Sequence, residues 1–433
     1  MNARAPFACP CPGRSPFLDC SGHLTPYSPR LMRVTIVQYG GDYREAWERF
    51  DRGGKATYQA QRYSVGFVSS LAQRLEQVAV VCASTDAPYD VELPNKVRAI
   101  GAGFSAHVRP RDLASLVEST RPNRLILVTP MVPLLKWAAK NGVRTLMTLA
   151  DSFNKGGFLT SIRHRKLARL LNGPKVEWVG NHGIAACLSV ASIGTKPDKI
   201  IPWDWPPSHR PSDHDPRILD TATPRTLVYV GSISEAKGVG DLLRAIHQLK
   251  AGGFKPALTV VGQDHDGSLH DLAERLGLID QVRFAGVIAN EDVPGTMRAA
   301  DVVIIPSRHE YPEGLPLTIY EALAARTPII ASDHPMFRGA LSHEETALVF
   351  PAGNVEAFAD AIRRLTTDAA LYARLSENSE RAWQALQLPV AWGELIERWL
   401  ADDQDWLREH RFNSGRYREQ IAVRARFGRA ADA

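Results

Sequence analysis

A chain of 433 residues exceeds what one ordinary core organises and suggests two domains of roughly 170 to 200 residues each. Hydrophobic residues at 44% and charged residues at 23% describe a folded globular protein, not a disordered or fibrous one, and no run approaches the ~18 apolar residues of a membrane helix. The net charge of +5 is modest, no recognised nucleic-acid-binding motif accompanies it, and nucleic acid is not an expected partner.

Residues 1–31 hold six prolines and no periodic pattern. They read as a disordered or non-native N-terminal extension, with folding starting near Met32. The segment lacks the apolar stretch of a signal peptide, which predicts a cytoplasmic protein. Cys9, Cys11, Cys20 and His23 fit no standard zinc-knuckle spacing, so no metal site is expected there. Cys82 and Cys187 lie in apolar segments and read as packed thiols, consistent with a reducing compartment.

The first domain is predicted over 32–205. Strand Val34 to Gln38 leads into Tyr39-Gly40-Gly41-Asp42, where paired glycines either let the backbone approach a ligand or form a plain turn. Tyr58 to Gln77 has helical amphipathicity. Strands are predicted near Val78 to Ala83, Leu125 to Thr129, Val143 to Leu149 and Val176 to Val179, with helical patterns between them. This alternation implies a parallel sheet covered on both faces. His107, His164 and His182 read as surface or capping residues. Asp151, at the end of the strand that finishes at Leu149, either accepts a hydrogen bond from a ligand hydroxyl or caps the helix that follows. Ser161 to Lys175 carries five basic residues and no acid. It forms a solvated helix face or a contact for anionic lipid headgroups or a phosphorylated acceptor.

From Trp203 to Pro224 the composition turns to five prolines, many charges and few apolar residues, as in an exposed interdomain linker, placed at 206–224. The second domain, 225–387, restarts the alternation with strand Thr226 to Val230. Gly231-Ser232-Ile233-Ser234-Glu235-Ala236-Lys237-Gly238 follows, with a helix from Val239. A glycine at a strand end, a lysine six residues on and then a helix set up a phosphate site. Strands Leu258 to Val261 and Val282 to Phe284 end in Gly262 and Gly286. Asp264 and Asp266 match the letters of a metal-binding Asp-x-Asp pair but follow a different strand from the central motif, and no metal is expected.

That motif, PSRHEYPEGLPLTIYEALAARTP over Pro306 to Pro328, starts where apolar strand Val302 to Ile305 ends. Gly314 frees the turn and Pro316 suits the first helical position. The amides of Leu317 and Thr318 are then unpaired at the positive end of the helix dipole, a receptor for phosphate. Glu313 and Glu321 face the same mouth. Beside a phosphate site they serve by reaching past it to neutral hydroxyls, as on sugars and ribose. Glu310 reads as a loop charge. Strand Pro328 to Ala331 brings Asp333 and His334 to the same edge as secondary candidates for donor contacts. Phe358 to Leu365 and Leu371 to Leu386 read as outer helices, Trp392 to Leu400 as a strongly amphipathic one within a C-terminal helical segment, 388–410. Residues 411–433 read as a basic tail; Arg408 to Arg429 carries seven arginines against two glutamates.

Two glutamates separated by seven residues, with Gly-Leu-Pro between them and Ala-Leu-Ala after, resemble the signature of family 4 glycosyltransferases of the GT-B fold. The resemblance spans roughly Met32 to Leu400. It implies an α/β protein with two doubly wound, Rossmann-like parallel-sheet domains, a cleft between them, and C-terminal helices crossing back to the first domain. It further implies transfer of a sugar, with retention, from a nucleotide-diphosphate sugar to an acceptor hydroxyl in polysaccharide, glycolipid or envelope-glycan synthesis. By this match Glu313 holds hydroxyls of the transferred sugar and Glu321 the ribose, while Gly40 and Gly41 lie against the donor phosphate and acceptor. Gly231, Ser232 and Lys237 lie beside the diphosphate with the backbone of Gly314, Leu315, Leu317 and Thr318, and Gly286 and Val287 cradle the base. No cofactor is implied beyond the donor itself. The acceptor is a glycan, a lipid-linked molecule or a small molecule, with peripheral contact to an anionic membrane. Two departures stand out: Ala150 and Asp151 replace the family's usual histidine, and Ser232 replaces its arginine, leaving Arg308 or the glycine loop to assist Lys237. The alternatives are a catalytically degenerate binder or scaffold, or an epimerase or phosphorylase on the same architecture.

Overall fold

The computed structural model describes residues 31–104, 109–153, 157–220, 222, 225–264 and 266–429, with side chains to 423. The cysteine-rich extension with Cys9, Cys11, Cys20 and His23, and also His107, lie outside the described residues.

The first half forms an eight-stranded sheet: β1 (Arg33–Gln38), β2 (Gln77–Cys82), β3 (Pro88–Glu92), β4 (Val97–Ala102), β5 (Arg124–Leu127), β6 (Arg144–Leu149), β7 (Val176–His182) and β8 (Ile200–Trp203). Their spatial order is β3-β4-β2-β1-β5-β6-β7-β8. All neighbours pair parallel except β3 with β4. The central strands are near-continuous apolar runs, such as VAVVC in β2, because helices cover both faces. The second half forms a six-stranded parallel sheet from β9 (Thr226–Val230), β10 (Ala257–Val261), β11 (Val282–Gly286), β12 (Val302–Ile305), β13 (Ile329–Ser332) and β14 (Leu348–Phe350), ordered β11-β10-β9-β12-β13-β14.

In each sheet the strand order reverses once beside the first strand, between β1 and β5 and between β9 and β12. Loops leaving such a pair diverge to opposite faces and open a crevice at the carboxyl edge. Gly40 and Gly41 leave β1 there, Gly231 to Lys237 leave β9, and the Pro306 motif leaves β12.

Several boundaries differ from expectation. The first long helix spans Gln61–Ala72, shorter at both ends than Tyr58 to Gln77, and Tyr43–Asp51 adds a helix directly after the glycine pair, capped by Asp42. Leu371 to Leu386 is two helices, Ala369–Glu377 and Ser379–Leu386, divided at Asn378. Pro316 is the residue before the helix Leu317–Ala324, with an extended ψ of 134°, not its first member. The stretch expected to be an exposed linker starts inside the protein. Trp203 and Asp204 are buried among the aromatic rings of Trp205 and His182, and further on Leu219 enters the second core. Nor is the basic segment after 410 a free tail: Phe412 and Tyr417 are buried, the Phe412 amide bonds the Ile200 carbonyl at 2.7 Å, and a helix spans Arg418–Arg429.

The chain crosses between halves twice, near Asp204 and near Ala391, and the crossings pair with each other. The Asp204 amide donates to the Val390 carbonyl at 2.9 Å and the Trp392 amide to the Asp204 carbonyl at 3.0 Å. After the second crossing, helix Trp392–Leu400 lays Trp392, Leu395, Ile396 and Trp399 into the core formed by Val34, Ile36, Val78 and Trp203. A fully buried apolar side chain of that size is worth about 1.5–3 kcal/mol. Trp399 Nε1 donates to Glu177 Oε2 at 2.7 Å, and Arg144 bridges Glu177 to Asp402.

Candidate active site

The site is organised by the turn from β12 into the helix at Leu317. No hydrogen-bond acceptor is found for the Leu317 and Thr318 amides among the described residues, whereas the Ile319 amide bonds the Pro316 carbonyl at 3.0 Å. Leu315 buries its side chain, so only its backbone is available to a ligand, and Leu317 is half-buried. Gly314 packs so closely that a Cβ placed on it would lie 3.2 Å from the carbonyl oxygen of Ala150, at the end of β6 in the other domain. The turn therefore abuts the first domain beside Asp151.

Glu313 is buried and anchored. Its Oε1 accepts Lys237 Nζ at 2.5 Å and Ser307 Oγ at 2.7 Å, and neither bond uses Oε2. Lys237 also lies over the Tyr311 ring, 4.3 Å from its centroid. Lys237 reaches this position because Gly238 sits at φ 75°, where a Cβ would come 2.0 Å from the Pro306 carbonyl oxygen, so the two loops close only around a glycine. Ser307 was not singled out from sequence; a serine flanking a strand carries no signal of its own. Gly231 and Ser232 start the same loop. Gly231 packs against Gly262, and Ser232 is exposed, its carbonyl accepting the Tyr229 hydroxyl at 2.6 Å.

Arg308, the candidate assistant to Lys237, is engaged elsewhere. It forms a two-pronged pair with Asp241, at 2.7 and 2.6 Å, because Asp241 is buried and needs a cation there. Glu310 is exposed and 3.8 Å from Arg308. Asp333 and His334 support the same turn. Asp333 accepts from the Ala352 amide and lies 2.8 Å from His309 Nε2, and buried His334 sits 3.1 Å from the Tyr311 carbonyl.

Glu321 lies deeper, 7% exposed, in a narrow crevice with Gln59, Asp204, Trp205 and Leu317, so it faces the first domain. Its Oε1 accepts Asn290 Nδ2 at 3.0 Å, and burial pushes its carboxyl up to about 7. Asn290 was also unforeseen. Its amide bonds the Ala56 carbonyl across the cleft at 2.9 Å, beside exposed pairs joining Lys55 to Asp292 (3.3 Å) and Arg62 to Glu291 (3.7 Å). Gly286 and Val287 are exposed at the end of β11, Val287 by 59%.

On the first-domain side, Gly40 and Gly41 border a cavity of about 180 Å³ that also meets Tyr58, Thr148, Ala150 and Trp203. Asp151 is mostly buried, its Oδ2 has no hydrogen-bond partner among the described residues, and burial pushes its carboxyl up to about 6. No helix-capping bond from Asp151 is found among the described residues. His164 is half-buried, edge-on to Phe153 at 5.9 Å. His182 is not a surface residue: it is 4% exposed, and although it occupies the N-cap position of helix Gly183–Ser192 its ring bonds Asp204 and makes no capping bond. Asp264 and Asp266 bond the starting turns of the helix at Ser268. Among the described residues no three His, Cys, Asp or Glu side chains gather as a metal site would require.

Residues 213–382 match the family model described as "Glycosyl transferases group 1". The lipopolysaccharide core biosynthesis glycosyltransferase LpsE of Rhizobium meliloti (strain 1021) is 27% identical over 355 residues, 80% of this chain and 92% of that protein. Other curated relatives, 30–32% identical, are matched over only 32–42% of their own length; one is the D-inositol 3-phosphate glycosyltransferase of Stackebrandtia nassauensis. Among solved structures, Anabaena HepE in complex with UDP and glucose superposes with a TM-score of 0.61 at 16% identity, over 86% of this chain and 99% of that one. The lipopolysaccharide-biosynthesis glycosyltransferase WaaG gives 0.58 at 19% identity, over 85% and 99%. The architecture is GT-B.

Proposed function

We propose that this chain, a glycosyltransferase of the GT-B fold, moves a sugar from a nucleotide-diphosphate donor to an acceptor hydroxyl with retention of the anomeric configuration, in the synthesis of a lipopolysaccharide-core-like glycan. The observation that carries the reading is the Lys237–Glu313–Ser307 cluster, with Glu313 and Ser307 buried, beside the Leu317 and Thr318 amides that lack an acceptor among the described residues, packed against the first domain at Ala150.

Charge builds on the departing diphosphate as the sugar–oxygen bond stretches. The helix amides and Lys237 are oriented in advance to receive it, which is the usual source of large rate effects. Lys237 is already paired with Glu313, so the amides carry a larger share of the work than an unpaired lysine would leave them. Glu313, held by Oε1, offers its other oxygen to hydroxyls of the transferred sugar, and Glu321 offers a carboxylate to the ribose. Gly286 and Val287 take the base through their backbone. Asp151, near Gly314 and with an Oδ2 that has no hydrogen-bond partner among the described residues, serves as the acceptor for the developing positive charge on the sugar or for a hydroxyl proton. No resident cofactor enters this scheme.

The acceptor is proposed to be lipid-borne. Helix Phe158–Leu171 exposes Phe158 and Leu159 by 80% and 71%, together with Arg163, Arg165, Lys166 and Arg169, for which no ion pair is found among the described residues. Apolar tips among cations fit an anionic bilayer surface. No helix among the described residues is long and apolar enough to cross a membrane.

The test is a thermal-shift panel of UDP-, GDP- and ADP-sugars, followed by transfer assays on acceptor extracts and nuclear magnetic resonance of the product's anomeric proton. Stabilisation by one donor series, lost in Glu321→Ala, together with transfer that is abolished in Glu313→Ala, supports the reading. Full turnover in Glu313→Ala, or an inverted product, overturns it.

A further inference from the structure

The donor-side helix is tied to the first domain by side chains outside the proposed donor contacts, two of which, Asp204 and Tyr320, line the same crevice as Glu321. Tyr320, one residue before Glu321, donates its hydroxyl to Asp204 Oδ2 at 2.8 Å. The other oxygen of Asp204 accepts the Trp205 amide at 2.8 Å and lies 2.9 Å from His182 Nε2. His182 ends β7 of the first sheet, Asp204 sits at the first crossing, and Tyr320 belongs to the second domain. The three are 4%, 5% and 6% exposed. The backbone of Asp204 is engaged as well, its amide and carbonyl binding Val390 and Trp392 of the second crossing. One residue thus meets both domains and both crossings. A carboxylate this deeply buried keeps its place only while its acceptor sites are filled. A rotation of the second domain that carried Tyr320 away would leave Asp204 short of a donor, so the network resists that movement.

We propose that His182, Asp204 and Tyr320 form a positioning relay that fixes the donor-binding helix against the acceptor domain, so that breaking it slows transfer while nucleotide binding persists. The proposal rests on reading the Leu317 helix as the donor site. The relay connects that helix to the strand edge that also carries Asp151: Asn181, adjacent to His182, donates its side-chain amide to the Asp151 carbonyl at 3.0 Å.

The test uses the full chain carrying Tyr320→Phe, which removes one hydroxyl, and His182→Ala beside His182→Gln, which restores a nitrogen donor. Three quantities are measured: affinity for UDP and GDP by calorimetry, hydrogen exchange in the facing segments 55–62 and 289–293, and turnover. Tyr320→Phe and His182→Ala are expected to bind nucleotide within about two-fold of wild type, to exchange faster in the facing segments, and to lose roughly ten-fold or more in kcat, the scale of one buried bond to a charged group. His182→Gln returns towards wild type. Wild-type exchange and turnover in Tyr320→Phe overturn the relay, as does an equal loss of nucleotide affinity and kcat, which marks general damage. If the wild-type chain binds neither UDP nor GDP, the donor-site reading fails instead, and the exchange comparison without nucleotide still decides the relay.

Discussion

Glu321 pays for its position with a penalty on its charge. Its folded pKa, about 7, stands above the ordinary glutamate value of 4.5, so the folded state favours the neutral acid. The stabilisation is present in full below the unfolded value and is lost as pH rises through 7, by up to about 3 kcal/mol. Glu321→Gln is therefore expected to melt higher than wild type at pH 8 and to lose that advantage near pH 5, as read by unfolding scans across pH. Asp151, raised to about 6, adds the same slope in the same direction. A second expectation concerns Lys237 and Glu313. Lys237→Met leaves a buried glutamate without its cation and is expected to cost about 3–5 kcal/mol of stability. Adding Glu313→Gln restores most of it while turnover stays lost, an outcome that thermal melts and assays separate. These residues were legible because each belongs to a local motif. Asp204 and Tyr320, 116 positions apart, were not: their contact is made by tertiary packing, and neither letter carries a signal in its own neighbourhood.

The loops at the carboxyl edges, between element and element, carry the site, and two glycines set their closeness. Gly238→Ala forces a side chain into a left-handed backbone position and into the Pro306 carbonyl. The expected cost is about 2 kcal/mol or more, with weaker nucleotide binding, measured by melting and calorimetry. Apolar strands such as β2 and β12 were readable from the sequence because burial on both faces writes an unbroken apolar run. The β3–β4 hairpin was not, since β3 lies at the sheet edge with mostly exposed residues; β8, IIPW, is interrupted by a proline, and β14 has only three residues. The Trp203 to Pro224 stretch misled for a related reason: prolines and charges announce a loop, yet the first two side chains, Trp203 and Asp204, are interior.

Across the whole molecule, the halves meet at a buried hinge and at an exposed clasp. The clasp pairs Lys55 and Arg62 with Asp292 and Glu291 are solvent-facing, so each is worth about 0.2–1 kcal/mol and weakens as salt rises. The wild-type radius of gyration is expected to rise between ~0.05 and ~0.5 M salt in solution scattering, and Asp292→Lys is expected to remove that dependence and to lower turnover a few-fold. Unchanged scattering in wild type across that range would show that the clasp contributes nothing to closure.

The helices after the second crossing supply Trp392, Leu395 and Trp399 to the core of the domain that begins the chain. During synthesis, that domain must wait for nearly four hundred residues to emerge before its last structural pieces arrive. A ribosome stalled near codon 387 would hold a nascent first half with an unfilled tryptophan-lined groove, a natural target for chaperones. The same dependence makes the protein an all-or-nothing product, in which a premature stop late in the message disables the half that was made first.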